Sequence, residues 1–169
     1  SACANLPHKN LWVIGDAPGW FAGNLISRPA NSRKYQTTTA HLRAACEDDR
    51  ISDPFTLLND DFFIVDRVRT VPLLNRGRIS DVIADYHHRG VTGSPYIRGM
   101  KQTLALLESL GEKDPLSYEL HIPIVVHKKD MLKALGIAEA SGIEVPHKRS
   151  IYGNLLRAKG KTVEDVKIY

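Results

Sequence analysis

FTLLNDDFFIV, Phe55–Val65, sets three adjacent polar residues, Asn59, Asp60 and Asp61, inside an apolar run. Phe55, Leu57, Leu58, Phe62, Phe63, Ile64 and Val65 read as a strand buried on both faces. Carboxylates in such a strand are costly unless something compensates them. A divalent cation is a natural compensator, because Mg²⁺ and Mn²⁺ take oxygen ligands and keep positions for water and substrate phosphate. Asp60 and Asp61 are therefore candidate ligands of Mn²⁺ or Mg²⁺ at a phosphate-handling site. The plainer alternative is a strand that stops at Asn59, with the two acids capping a turn.

Working outward, Leu11–Gly15 (LWVIG) reads as a short strand. Residues 16–35, rich in Gly, Pro, Asn and Ser, read as a long loop of the functional or mobile kind. Thr37, Thr38 and Thr39 are candidate N-caps for a helix over 39–49. Asp53-Pro54 makes a turn. Residues 66–98 read as polar and irregular, and carry Arg67, Arg69, Arg76, Arg78, Arg89 and Arg98. An amphipathic helix is expected over 99–110 with Gly111 past its end. A strand over Tyr118–Val125, a helix over 128–140 ending at Gly142, and a short helix near 151–158 complete the pattern. Strands alternating with helices predict an α/β domain whose largely parallel sheet binds ligands beyond the carboxyl ends of its strands.

The 169 residues suffice for one domain with a real core, and 43% hydrophobic with 25% charged content is ordinary for a soluble globular protein. No apolar run approaches a membrane span and no signal peptide is visible, so no membrane span is expected. Cys3 and Cys46 have neither metal-ligand spacing nor the density of a disulfide scaffold, which suits a cytoplasmic setting. The chain begins at Ser1 rather than Met, so a segment upstream is expected to be missing. The net charge of +4 and pI of about 9.1 fit an anionic ligand such as a nucleotide sugar, and equally nucleic acid.

Tyr118-Glu119-Leu120-His121-Ile122-Pro123 is the second informative stretch. On a strand, Glu119 and His121 share one face and Leu120 and Ile122 the other. A carboxylate beside an imidazole orients it and raises its basicity, as a general base removing a proton from an acceptor hydroxyl requires. The alternative is the polar face of an edge strand, which Pro123 supports. In His147-Lys148-Arg149, Arg149 is a candidate bidentate phosphate clamp, against a solvated basic turn. Arg33-Lys34 before a helix start would attract anions, against a plain basic loop. Trp20, in a Gly/Pro loop, is the better candidate to stack on a base or sugar, while Trp12 reads as core. His87-His88 reads as a loop pair with no second ligand pair for zinc, and His8, His41 and His127 as structural. No Walker loop, nucleophile elbow or dinucleotide fingerprint is present.

On these residues the chain resembles the Stealth family of sugar-phosphate transferases, which includes bacterial capsule hexose-1-phosphate transferases and the lysosomal-enzyme N-acetylglucosamine-1-phosphotransferase. It looks closest to short phage-encoded relatives described as glycosyltransferases. NLPHKNLWVIGDAPGW resembles the family's early strand and Pro-Trp segment. KYQTTTAHLRAAC resembles the stretch before its metal motif, and DPFTLLNDDFF its NDD signature. ELHIPIVVHKKDML resembles the His-x-Pro block, and HKRSIYGN the terminal basic block. The family's first strand, with its Trp-Val-x-Gly donor motif, is absent here, and the chain is shorter than the capsule enzymes. The resemblance implies that residues 1–169 form one nucleotide-sugar transferase-like domain lacking an N-terminal strand, with a glycosyltransferase-A-like, mostly parallel sheet flanked by helices. It implies Asp60 and Asp61 as ligands of the metal on the donor diphosphate, a donor of uridine diphosphate type, His121 as catalytic base and Arg149 as phosphate ligand.

The expected activity is transfer of a sugar, or a sugar phosphate, from a nucleotide-diphosphate sugar to an acceptor hydroxyl. A hydroxylated DNA base or a glycan would serve as acceptor, in the host cytoplasm if the chain is phage-encoded. Glu119 supports His121, and Arg33, Lys34, Arg149 and Trp20 hold the donor. The rivals are a non-catalytic nucleic-acid-binding module, which leaves the paired acids without an account, and a metal-dependent nuclease, phosphodiesterase or phosphatase.

Overall fold

The structure is a computed structural model that describes residues 2–30, 33–59 and 62–164. In chain order its elements are α1 (Ala2–Asn5), β1 (Trp12–Gly15), β2 (Asn24–Ser27), α2 (Lys34–Glu47), β3 (Phe55–Leu57), β4 (Leu74–Asn75), α3 (Ile79–His88), α4 (Pro95–Ser109), β5 (Ile124–Val126), α5 (Lys128–Ala140), α6 (Lys148–Leu155) and β6 (Lys161–Thr162). The chain is mixed α/β, as the alternation of strands and helices predicts. It divides into two compact units, one of Ser1–Val71 with Pro123–Leu132, the other of Pro72–Ile122 with Lys133–Tyr169. In place of one largely parallel sheet, the described strands form three two-stranded ladders. Two are parallel, β1–β2 and β4–β6, and one is antiparallel, β3–β5.

In the first unit, the half-buried Trp12, Ile14 and Phe55 pack against the buried Ile26, Ala45 and Ile51, so Trp12 lines the core that its strand position suggests. Trp12 pairs with Asn24 and Gly15 with Ser27, so β2 interrupts the long loop expected over 16–35. Gly15 has φ +122, and a Cβ there would stand 2.7 Å from His41 Cε1; only glycine supplies both the conformation and the room. Helix α2 starts at Lys34, five residues before the expected start. The three threonines lie inside it and cap nothing: Thr37 Oγ1 donates to the Arg33 carbonyl, and Thr38 and Thr39 donate to that of Tyr35. Back-bonding of this kind lets a threonine sit in a helical turn without an unpaired hydroxyl.

The strand expected over Phe55–Val65 stops at Leu57. Ile64 is buried, but Phe63 is 71% and Val65 85% exposed, so the run past the acids is not a strand sandwiched on both faces. Asn5 holds this run instead, donating from Nδ2 to the Ile64 carbonyl at 2.6 Å and accepting from Val68 N–H at 2.8 Å. Asp60 and Asp61 lie outside the described residues. Strand β3 pairs with β5 from Phe55↔Val126 to Leu57↔Ile124. Asp53 Oδ1 accepts Lys128 N–H at 3.0 Å, supplying a partner for a donor in the first turn of α5.

In the second unit, α3 and α4 bury Ile79, Val82, Ile83, Met100 and Leu107, with Tyr86, Tyr96 and Leu104 packed against them. Helix α3 lies inside the stretch expected to be irregular, and α4 starts at Pro95 rather than 99. Ser94 caps α4 by accepting Ile97 N–H, and Pro95 takes the first helical position, where a missing N–H costs nothing. The buried Asn75 side chain knits β4 to its surroundings, donating to the Lys159 carbonyl and accepting from Gly77 N–H and Thr162 Oγ1. Among the described residues no helix is long and apolar enough to cross a membrane.

Candidate functional site

The expected strand Tyr118–Val125 forms a ladder only over Ile124–Val126. Among the described residues, 116–120 pair with no named strand, and one isolated bridge joins Leu116 to Arg78. Side chains of α6 take the place of that partner. Asn154 Oδ1 accepts Leu116 N–H at 2.9 Å and its Nδ2 donates to the Leu116 carbonyl at 2.8 Å. Ser150 Oγ accepts Tyr118 N–H at 3.0 Å. Arg149 Nη1 donates to the carbonyls of Leu120 and Ile122 at 2.6 and 2.7 Å. The backbone groups held belong to residues 116, 118, 120 and 122. Ser117, on the opposite edge, accepts Arg76 N–H and donates to the Gly77 carbonyl.

This clamp fixes the segment that carries the candidate general base. Tyr118 and Leu120 are buried, while Glu119 and His121 alternate with them and remain half-buried. The Tyr118 ring lies on Gly153 of α6, and its hydroxyl donates to the Ala158 carbonyl; burial pushes the phenol up to about 12. Glu119 Oε1 accepts Ser150 N–H at 3.2 Å and Ser150 Oγ at 3.5 Å, so the carboxylate faces the first turn of α6. Glu119, which the sequence reading sets beside His121, uses Oε1 to accept from Ser150.

Two cations at the start of α6 oppose the helix dipole, whose N-terminus is positive. Burial lowers the pKa of both Lys148 and Arg149, and the nearby Glu119 carboxylate pulls each the other way. Glu119 therefore satisfies a helix-terminal N–H and compensates two buried charges at once. The solvated basic turn is ruled out for this triplet. His147 is buried, with Nε2 3.0 Å from the Tyr96 carbonyl and its backbone N–H on Thr103 Oγ1 at 3.2 Å. Arg149 is only 8% exposed.

The remaining candidates belong to the first unit. Arg33 is the N-cap residue of α2 and Lys34 its first residue, both exposed, so the basic pair does precede a helix start. Trp20, 83% exposed, lies in the link between β1 and β2. Gly15 and Ser27 end the parallel pair side by side, and the chain runs on from them into the segments bearing Trp20 and Arg33-Lys34. Carboxyl ends of parallel strands are where α/β units bind ligands. In the antiparallel ladder of the same unit, the chain leaves Leu57 toward Asn59 at the end where Pro123 leads into Ile124.

Several arginines of 66–98 are spoken for. Arg78 pairs with Asp81 at 2.9 Å and Asp114 at 3.6 Å, Arg89 pairs with Asp85, and Arg98 Nη1 donates to the Gly93 carbonyl. Arg76 and Arg89 also approach the face of Tyr86. His87 and His88 sit in the last turn of α3 rather than in a loop. Among the described residues no group of three or more His, Cys, Asp or Glu side chains is arranged to hold a metal. A cleft of about 270 Å³ in the second unit is lined by Pro95, Arg98, Gln102, Gly142, Glu144 and Val145, none of them a candidate site residue.

Sequence reasoning missed Ser150 and Asn154, which hold the site segment. Their signal was their position: two polar residues four apart, within a short helix that also carries Ile151 and Tyr152, with Gly153 between them. Comparison with protein-family models, with curated proteins and with solved structures finds no match to this chain.

Proposed function

We propose that this chain is a metal-dependent transferase that moves a sugar, or a sugar phosphate, from a nucleotide-diphosphate sugar to an acceptor hydroxyl, on a glycosyltransferase-A-like α/β plan. The observation that supports this most is the β3–β5 register. Leu57 pairs with Ile124, so the chain that leaves β3 through Leu58 toward Asn59 and the chain that enters β5 through Pro123 meet at the same end of one ladder, and in the sequence the first runs on into the Asn-Asp-Asp block while the second follows His121.

The donor set suits the implied cation: two adjacent carboxylates, Asp60 and Asp61, with the Asn59 amide beside them, are hard oxygen ligands of the kind Mn²⁺ and Mg²⁺ prefer. Bound there, such a cation supplies charge neutralisation of the donor diphosphate. Asp60 and Asp61 hold it. His121 takes the proton of the acceptor hydroxyl. Arg33 and Lys34, at the start of α2, attract the donor's negative charge, and Trp20 stacks on its base or sugar. Attack at the anomeric carbon forms the glycosidic bond and expels the nucleoside diphosphate. Attack at the β-phosphorus forms a phosphodiester and expels the nucleoside monophosphate.

A uridine diphosphate sugar is the proposed donor, and a hydroxylated DNA base or a glycan the proposed acceptor, in the cytoplasm of a phage-infected host. Thermal unfolding against a panel of nucleotide sugars, with and without Mn²⁺, tests the donor class. Stabilisation by one nucleotide only with metal supports it, since ligands stabilise by mass action. No shift with any donor in either condition counts against it. Product mass then separates the two chemistries by one phosphate.

A further inference from the structure

We infer that Arg149 is a positioning residue for His121, acting through the backbone on either side of it and not as a ligand of the donor phosphate. This builds on the assignment of His121 as the proton acceptor. The two hydrogens of Nη1 go to the carbonyls of Leu120 and Ile122, at 2.6 and 2.7 Å, which bracket His121 in the chain. One rigid nitrogen thus ties the 120–121 and 122–123 peptide groups to the first turn of α6. A buried guanidinium in that turn opposes the helix dipole, and helices favour carboxylates there. The exception is tolerated because Glu119 accepts Ser150 N–H beside it. A locally unfavourable residue with a dedicated counter-charge marks a position kept for a purpose other than helix stability.

Placement of this kind matters to rate. A displacement of a reacting group by about 1 Å can cost on the order of 100-fold. Lysine keeps the charge of arginine, but its ammonium is a compact point charge on a flexible stem, without the planar guanidinium that fixes Nη1 between the two carbonyls. Arg149→Lys should therefore lower kcat by about 10-fold or more while leaving the donor KM within about two-fold. A phosphate ligand would show the reverse, a raised donor KM with kcat little changed.

The same variant also reports without turnover. The His121 imidazole carbon-bound proton, followed by NMR at one fixed pH, should shift its resonance in Arg149→Lys, while that of His87 stays in place. An unmoved His121 signal overturns the inference, whether or not the protein proves to be a transferase. A wild-type protein that turns over no donor, yet shows the His121 shift in the variant, overturns the transferase assignment alone. If Arg149 variants fail to fold, the unmodified protein decides. Its Arg149 Nη1 protons should be resolved by slow rotation, and should keep their shifts on saturation with uridine diphosphate and Mg²⁺. Freely rotating Nη1 protons, or signals that move with the nucleotide, contradict the inference.

Discussion

The ring of Tyr118 lies against Gly153, with its Cδ2 and Cε2 atoms 2.5 Å from where a Cβ on that glycine would stand. Ala is the better helix former, by about 1 kcal/mol in a helix interior. Overpacking a tight contact costs about 1–3 kcal/mol. The clash wins here, because Tyr118 is buried and its hydroxyl is anchored to the Ala158 carbonyl, which leaves the ring no room to retreat. Gly153→Ala should therefore lower the midpoint of urea unfolding. An unchanged or raised midpoint would show that the ring has somewhere to go.

Asn154 bonds to both peptide groups of Leu116, as a neighbouring strand would. Asn154→Ala leaves the half-buried N–H and carbonyl of Leu116 without this partner, at up to about 1–3 kcal/mol for each unsatisfied group. Loss of stability should come with faster amide exchange at Leu116, measured by hydrogen–deuterium exchange. Exchange at Leu116 that does not change would mean that α6 is not the partner of this segment.

Asp48 accepts from Arg50 three times, at the backbone N–H and at Nε and Nη2, and its carboxyl is held down at about 2 from an ordinary 3.8. A carboxylate with a depressed folded-state pKa stabilises the fold above its unfolded value and loses that contribution as pH falls through the folded one. The stability difference between wild type and Asp48→Asn should be constant from pH 7 to about pH 5 and vanish between about pH 4 and pH 2. A difference independent of pH over that range would rule out the ion pair as its source.

Burial pushes the Cys46 thiol up to about 11, whereas Cys3 is exposed. The thiolate is the reactive form, so Cys46 should be inert at pH 8. Iodoacetamide should add one label to the native chain, at Cys3, and two in urea, as read by mass spectrometry. Equal labelling rates for the two cysteines in the native protein would contradict the burial of Cys46.

The α/β class, β1, the helix over 128–140 and the core place of Trp12 were legible in the sequence, since each shows as an apolar run or a helical period. Helix α3 was missed although Ile79, Val82, Ile83 and Tyr86 carry the i, i+3, i+4, i+7 pattern, because glycines and arginines around it suggested a loop. The thresholds failed at Thr37–Thr39, where hydroxyls that favour caps found carbonyl partners within the helix instead. Of the strand expected over Tyr118–Val125, the alternation of half-buried Glu119 with buried Tyr118 and Leu120 was legible, but the chain bends at 121–122 and pairs as a strand only from Ile124. What held it was not legible, because Arg149, Ser150 and Asn154 act on backbone atoms some 30 residues away, and no local pattern encodes such partners. The length of the strand before the acids was overestimated for a related reason. Phe62–Val65 has strand-like residues, but among the described residues the ladder ends at Leu57.

The central claim is that Asp60 and Asp61 bind a cation that in turn binds a nucleoside diphosphate. Isothermal titration of uridine diphosphate into the protein, with and without Mn²⁺, measures this most directly. Binding should require Mn²⁺ and should weaken by at least about 10-fold in Asp60→Asn and Asp61→Asn, the scale on which altering a metal site's environment acts. Equal affinity without metal, or in both variants with it, would contradict the account.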